Sequence, residues 1–282
     1  MLRIDISEES LVKEFTQIQN TNFGYSSGNY WNEIVLFFQW QEFYKTELQM
    51  WKDNNIIKGL PLRSFIYANR MKYANKGYMQ LTDREILRAF KISGLHIGNS
   101  FHSPFWIKQF IQDYNIKSIY DPCGGWGHRL LGSYNIKYIY NDINTITANN
   151  CKKIAKYFDL LDKYFYTNDS ALFTPQESYE AVFTCPPYFN IEKYTDIGSE
   201  NYSYADFLTW WQQTVIKSTA CLSCKYFCFI MNSTYLIDMQ KICTNLGLQL
   251  LEEQLLGSSK QVSHFNKSNS HKQEILSVFR VR

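Results

Sequence analysis

Nowhere in the 282 residues does an apolar run approach the roughly 18 residues that a membrane span requires, which excludes a helical membrane protein. The amino terminus, MLRIDISEESLVKEF, carries acidic residues early and no apolar run ending in small residues, so it lacks the pattern of a secretion signal and the expected location is cytoplasmic. A disulfide framework is missing too. The seven cysteines are odd in number and scattered among strand-like and helix-like stretches, the pattern of reduced thiols. No charge of one sign dominates: 29 basic and 26 acidic residues leave a formal net charge of +3, too little to establish a polyanionic partner without a local cluster. Metal-ligand spacing is also absent. Cys221 and Cys224 form Cys-x-x-Cys and Cys228 follows, but no second pair or histidine pair completes a set, so no metal site is expected. No internal repeat or low-complexity run is visible.

What remains is a chain long enough for one large domain, or one domain with an appendage. Aromatic residues are abundant at 17%, with 21 tyrosines, 20 phenylalanines and 7 tryptophans. Most of them fill the core; those beside a motif or in a basic setting also suit stacking on bases.

From Lys117 onward, short strand-like runs alternate with helical stretches, which predicts an α/β fold with a parallel sheet and crossover helices. The runs are Lys117 to Asp121, Lys137 to Asp142, Tyr164 to Asp169, Glu180 to Cys185, Lys225 to Asn232, Leu248 to Leu256 and Glu274 to Val281, seven strands in all. The segment before about residue 95 is mostly helical in pattern and has no strand-and-glycine alternation, so residues 1–95 are expected to form a separate helical domain and residues 96–282 the sheet domain. Thr82 followed by Glu85 makes a capping box that starts a helix near Asp83.

The first chemical motif is Asp121-Pro122-Cys123-Gly124-Gly125-Trp126-Gly127, where a strand ends and a helix begins. Glycines there let the backbone pass close to a ligand, and the carboxyl edge of the sheet with the next helix amino terminus makes a nucleotide crevice. Asp142 closes the following strand, where an acid accepts hydrogen bonds from both ribose hydroxyls. Asp169, at the end of the third, is placed to reach an adenine amino group. Three strand-end acids in succession point to one adenosine-bearing cofactor.

The second motif is Thr184-Cys185-Pro186-Pro187-Tyr188 at the end of the fourth strand. Two successive prolines donate no ladder hydrogen bond and stiffen the loop, so the flanking carbonyls serve as acceptors. Such a loop can grip an amino group. Accepting both N–H hydrogens of an exocyclic base amine holds it in a more nucleophilic geometry, while Tyr188 stacks on a base swung out of the duplex.

On these residues the chain resembles the DNA amino-methyltransferases, adenine N6 and cytosine N4, of the class I S-adenosylmethionine-dependent kind. Asp121, Pro122, Gly125 and Gly127 match the family's Asp-Pro-Phe-x-Gly-x-Gly, with Cys123 in place of phenylalanine. Pro186, Pro187 and Tyr188 match its Asp/Asn/Ser-Pro-Pro-Tyr, with Cys185 where the family has a side-chain acceptor; a thiol is a weak one. The resemblance implies a seven-stranded Rossmann-like methyltransferase sheet beside the helical amino-terminal domain, S-adenosylmethionine as cofactor, base flipping, double-stranded DNA as partner and a companion restriction endonuclease. It further implies that a segment before the first motif closes over the methionine end of the cofactor. Ser103, before Pro104, is positioned to start a helix whose amino terminus receives the carboxylate. An RNA or protein-glutamine methyltransferase, or an inactive relative that only binds cofactor or nucleic acid, stays open as an alternative.

For DNA contact two places stand out. Between Lys58 and Lys91 the bases Arg63, Arg70, Lys72, Lys76, Arg84 and Arg88 interleave with Tyr67, Tyr73 and Tyr78, which suits phosphate contact with stacking nearby. The polar loop from Gly257 to Lys272, with Lys260 and Lys267, is the second.

Overall fold

The computed structural model describes residues 6–21, 24–26, 33–74, 102–189, 203–256 and 273–281. The chain begins with helix α1 (Glu8–Asn20), capped by the Ser7 hydroxyl, and after a short 3-10 turn continues with α2 (Glu33–Phe43) and α3 (Lys45–Asp53). A two-residue hairpin, β1 (Ile56–Ile57) and β2 (Leu60–Pro61), then leads into α4 (Leu62–Ala74).

The remainder alternates strands and helices. α5 (Pro104–Asp113) precedes β3 (Ser118–Asp121), followed by α6 (His128–Gly132), β4 (Lys137–Asn141), α7 (Thr145–Tyr157), β5 (Lys163–Tyr166) and β6 (Ala181–Thr184). Next come α8 (Tyr204–Thr219), β7 (Tyr226–Asn232), α9 (Leu236–Asn245), β8 (Gln249–Leu255) and β9 (Glu274–Arg280). Local chemistry sets the helix starts: Asn144 caps α7 through its side-chain oxygen, and Ser203 with Asp206 closes a reciprocal capping box on α8.

Seven strands form one sheet in the order β5-β4-β3-β6-β7-β9-β8. β3 to β7 run parallel, while β9 is antiparallel to both of its neighbours. The order reverses between β3 and β6, and such a switch point opens a crevice at the carboxyl edge. Helices cover both faces, so the central strands are apolar on both sides. In β4, Tyr138 and Tyr140 enter the core on one face and Ile139 the core on the other; in β6, Phe183 and Val182 divide in the same way. Strand positions follow the sequence spacing closely, except that the third strand ends at Tyr166 and leaves Asp169 in the loop beyond it.

A separate amino-terminal domain is not what α1 and α2 form. Leu11, Phe15, Ile18, Ile34 and Val35 share one continuous core with Phe110, Ile119 and Ile154 of the sheet domain. Polar groups lock the junction. Buried Lys108 on α5 donates to the carbonyls of Ile18, Gln19 and Thr21 at 2.6–2.8 Å, satisfying the end of α1. Glu14 in turn accepts the Glu33 and Ile34 amides at the start of α2. The helix expected near Asp83 lies outside the described residues.

Candidate active site

The loop after β3 is held from beneath by aromatic and charged groups. Tyr140 on β4 lies so close under Gly124 that an added Cβ would fall 2.2 Å from its ring, and its hydroxyl donates to the Gly125 carbonyl at 2.8 Å. Gly124 is therefore required by packing. Gly125 and Gly127 have φ of +59° and +106°, the left-handed region that favours glycine.

Asp121 takes a different place from the one its spacing suggests. Its carboxylate is 0% exposed and accepts from Arg129 Nε at 2.5 Å, the Tyr138 hydroxyl at 2.5 Å and the Cys123 amide at 3.2 Å. Arg129 also donates to the Cys123 carbonyl. Asp121 thus organises the loop instead of facing a ligand directly. Burial opposes the charge on Arg129, but Asp121 beside it overcomes this and raises its pKa. Burial pushes the Cys123 thiol up, so it stays protonated; its sulfur lies 3.9 Å from the Ser170 hydroxyl.

Asp142 and Asp169 are half-buried at the same edge. The two oxygens of Asp142 each accept one backbone amide, from Gly125 at 2.8 Å and from Asn144 at 2.9 Å, and burial raises its pKa despite them. Asp169 Oδ1 accepts from the Trp210 indole at 3.0 Å and the Ala171 amide at 2.9 Å. Buried Asn141 joins the loops: its amide donates to the Pro122 and Asn168 carbonyls and its oxygen accepts the Asn168 amide. Two large apolar side chains beside the acids are exposed, Ile143 by 41% and Leu172 by 78%. Neither Asn141, Trp210 nor these two is marked by the motifs, although Ile143 directly follows Asp142 in sequence.

The loop after β6 abuts the glycine loop, because β6 pairs with β3. Cys185 is half-buried, and its sulfur lies 3.7 Å from His102 Nε2 and 3.8 Å from the Tyr188 hydroxyl. Tyr188 departs from expectation. It is 7% exposed, packed in the core and hydrogen-bonded through its hydroxyl to Glu274 at 3.2 Å, so it anchors the loop rather than presenting a ring for stacking. Ser103 caps α5, accepting the Phe105 amide at 3.3 Å, with Pro104 at the first helical position. Burial, with a contribution from the Arg129 charge, lowers the His102 pKa to about 3; His128 is lowered by burial together with His102 and Arg129. Both rings are neutral near pH 7.

Helix α2 completes the floor. Gln39 is 0% exposed, and its amide donates to the Trp126 and Thr147 carbonyls at 3.2 and 3.1 Å while its oxygen accepts from Asn150 at 3.1 Å. Glu42 accepts from Asn144 at 3.0 Å, and the Phe43 ring meets Trp126 edge-on at 5.3 Å. Of the candidate DNA contacts, Arg63 is exposed at the start of α4, which also carries positions 70 and 72. Lys76, Arg84, Arg88, Lys260 and Lys267 lie outside the described residues. All seven cysteines are free, and no cluster of three potential metal ligands occurs among the described residues. No helix among them is long and apolar enough to cross a membrane.

No family model and no curated protein matches the sequence. Similar solved structures include TrmN from Thermus thermophilus, with 10% identity over 69% of this chain and 53% of that one and a TM-score of 0.46. The human methyltransferase 10 domain containing protein has 9% identity over 65% of this chain and 85% of its own, with a TM-score of 0.47. Magnesium protoporphyrin IX methyltransferase (ChlM) from Synechocystis PCC 6803, solved with bound SAM, has 9% identity over 78% and 91%, with a TM-score of 0.44. The chain spans about half the length of the first of these. At such values the likeness carries no weight for the site, which stands on its own residues.

Proposed function

We propose that the chain is a class I S-adenosylmethionine-dependent methyltransferase acting on the exocyclic amino group of a base in double-stranded DNA. One observation carries the reading: β3 and β6 are neighbours, so the glycine loop and the Pro186-Pro187 loop lie side by side at the carboxyl edge where the strand order reverses.

The donor set fits this cofactor. Asp142, with one backbone amide on each oxygen, offers further lone pairs to ribose hydroxyls. Asp169 suits an adenine amino group, and exposed Ile143 and Leu172 suit the faces of a flat ring. The Ser103-capped amino terminus of α5 suits the methionine carboxylate. When bound, the cofactor supplies an electrophilic methyl group. Pro186 and Pro187 fix the loop so that its carbonyls accept amine hydrogens, and Tyr188 with Glu274 holds that loop to β9.

Calorimetry with S-adenosylmethionine, then tritium transfer to duplex DNA, to RNA and to protein in separate reactions, tests the reading. Binding and transfer to DNA are expected. Asp142→Ala should weaken cofactor binding by about 1–3 kcal/mol through lost hydrogen bonds. Label appearing only in RNA or protein would replace the acceptor, and an unchanged affinity in a folded Asp142→Ala protein would remove the cofactor assignment.

A further inference from the structure

We propose that His102, set against Cys185 at the β6 loop, supplies the hydrogen-bond acceptor for the substrate amine that position 185 lacks. The inference rests on the methyl-transfer reading.

A thiol accepts hydrogen bonds weakly, yet the loop geometry otherwise suits an amine. His102 Nε2 lies 3.7 Å from Cys185 Sγ, so an imidazole nitrogen stands directly beside the side chain at position 185. The surrounding polar atoms are unusually poor in partners. His102 Nδ1, Trp106 Nε1 and Thr184 Oγ1 are buried with no hydrogen-bond partner among the described residues. All three belong to the two segments that meet at the Cys185–His102 contact, with the Trp106 ring 5.6 Å from the His102 ring. Buried polar atoms are rarely left unpaired in a folded protein, and a cluster of them marks a place for a polar ligand group.

The charges nearby suit a neutral acceptor. Arg129 and His128 face His102, and Arg129 already closes its ion pair with Asp121. The neutral ring therefore keeps one nitrogen lone pair; with the proton on Nδ1 it lies on Nε2, where an amine N–H can take the place of the weak Cys185 thiol contact. When the cofactor is bound, the amine nitrogen would take its methyl group, the former bonding pair staying on the cofactor's sulfur; one amine N–H donates to Nε2 throughout, and the surplus proton leaves from the amine to water. A methylated exocyclic nitrogen bearing that extra proton is a strong acid, because its lone pair belongs to the ring system, so a weak base suffices. The Cys185–Tyr188–Glu274 chain positions the loop against the imidazole.

The test compares wild type, His102→Leu and His102→Gln in full-length protein. It measures the cofactor dissociation constant by calorimetry, and kcat and KM for tritium transfer to duplex DNA from pH 5 to 9. Expected are a loss of 100-fold or more in kcat for His102→Leu, cofactor affinity within about threefold of wild type, and recovery of at least tenfold by His102→Gln, whose amide oxygen accepts. The wild-type kcat should stay level across neutral pH. A wild-type rate in His102→Leu overturns the role of His102 and leaves methyl transfer standing. Loss of cofactor binding in both variants also overturns it, making His102 part of the cofactor pocket. A wild-type protein that neither binds cofactor nor transfers label overturns the methyl-transfer reading, and this proposal with it.

Discussion

The carboxyl edge of the sheet has two unlike halves. Across β3, β4 and β5 the strand-end polar groups are tied down by short bonds: Asp121 to an arginine, a tyrosine and an amide, Asn141 to both neighbouring loops, Asp142 to two amides. Beyond β6 the Cys185 side chain is linked only through sulfur at 3.7–4.0 Å, beside the Tyr188–Glu274 bond at 3.2 Å, and the buried Thr184 hydroxyl has no partner among the described residues. The first half is rigid before any ligand arrives, which suits a cofactor common to every turnover. The second is polar yet incompletely paired, which suits a group that enters and leaves.

This asymmetry predicts unequal responses to substitution. Asp121→Ala leaves Arg129 buried without its carboxylate, and breaking such a pair costs about 3–5 kcal/mol. On a total stability of about 5–15 kcal/mol that leaves a marginal protein. Cys185→Ser, at the other half, should cost about 1 kcal/mol or less. Urea unfolding of both variants measures the difference. Equal losses would mean that the two halves are equally integral to the fold.

Acid probes the seam between them, where half-buried His102 and buried His128 are neutral. Unfolded histidine takes up a proton near a pKa of about 6.5, whereas in the folded chain His102 does so only near 3. Below about pH 6.5 the unfolded state therefore binds more protons, and stability falls as pH falls. Well below pH 6.5 each ring that stays neutral in the folded chain should contribute a loss approaching about 1.4 kcal/mol per pH unit. Denaturation midpoints should show little of this at pH 7 and a slope approaching two protons beyond the carboxylates' share between pH 6 and 5, reduced by about one in His128→Asn. An unchanged slope in that variant would mean that His128 titrates normally.

Much of this was legible in the sequence, and what was not has a common cause. Strand runs and the two loops follow from local apolar spacing and from glycine and proline, which act within a few residues. Roles fixed by distant contacts do not. Gln39 lies 108 residues from Thr147, and Lys108 lies 90 from Ile18, so neither the floor under the glycine loop nor the merging of α1 and α2 with the sheet has a local sign. Asp121 read as a ligand residue because strand-end acids often are; Tyr138, one strand away, and Arg129 decide otherwise. Tyr188 read as a stacking ring, but Glu274, 86 residues on, draws its hydroxyl inward. His102 carries no motif at all.

The smallest expected effects fall on α4, outside both halves, and they extend the comparison to the nucleic acid. Helical spacing puts positions 63, 67 and 70 on one face and position 72 on another, and Arg63 and Tyr67 are exposed while Ile66 is buried. If that face tracks a DNA backbone, each arginine neutralises about one phosphate and releases its counterions. Arg63→Ala and Arg70→Ala should then each lower the slope of log affinity against log salt by about one unit, and Tyr67→Ala should weaken binding without altering the slope. Lys72→Ala should change the slope less than either. Cofactor affinity should not move in any of the four, because α4 supplies none of the residues proposed to hold the cofactor. Fluorescence anisotropy with a labelled duplex at several salt concentrations reads all of this. Equal slopes for the two arginine variants and wild type would make α4 a solvated surface and leave the DNA contact to be sought elsewhere in the chain.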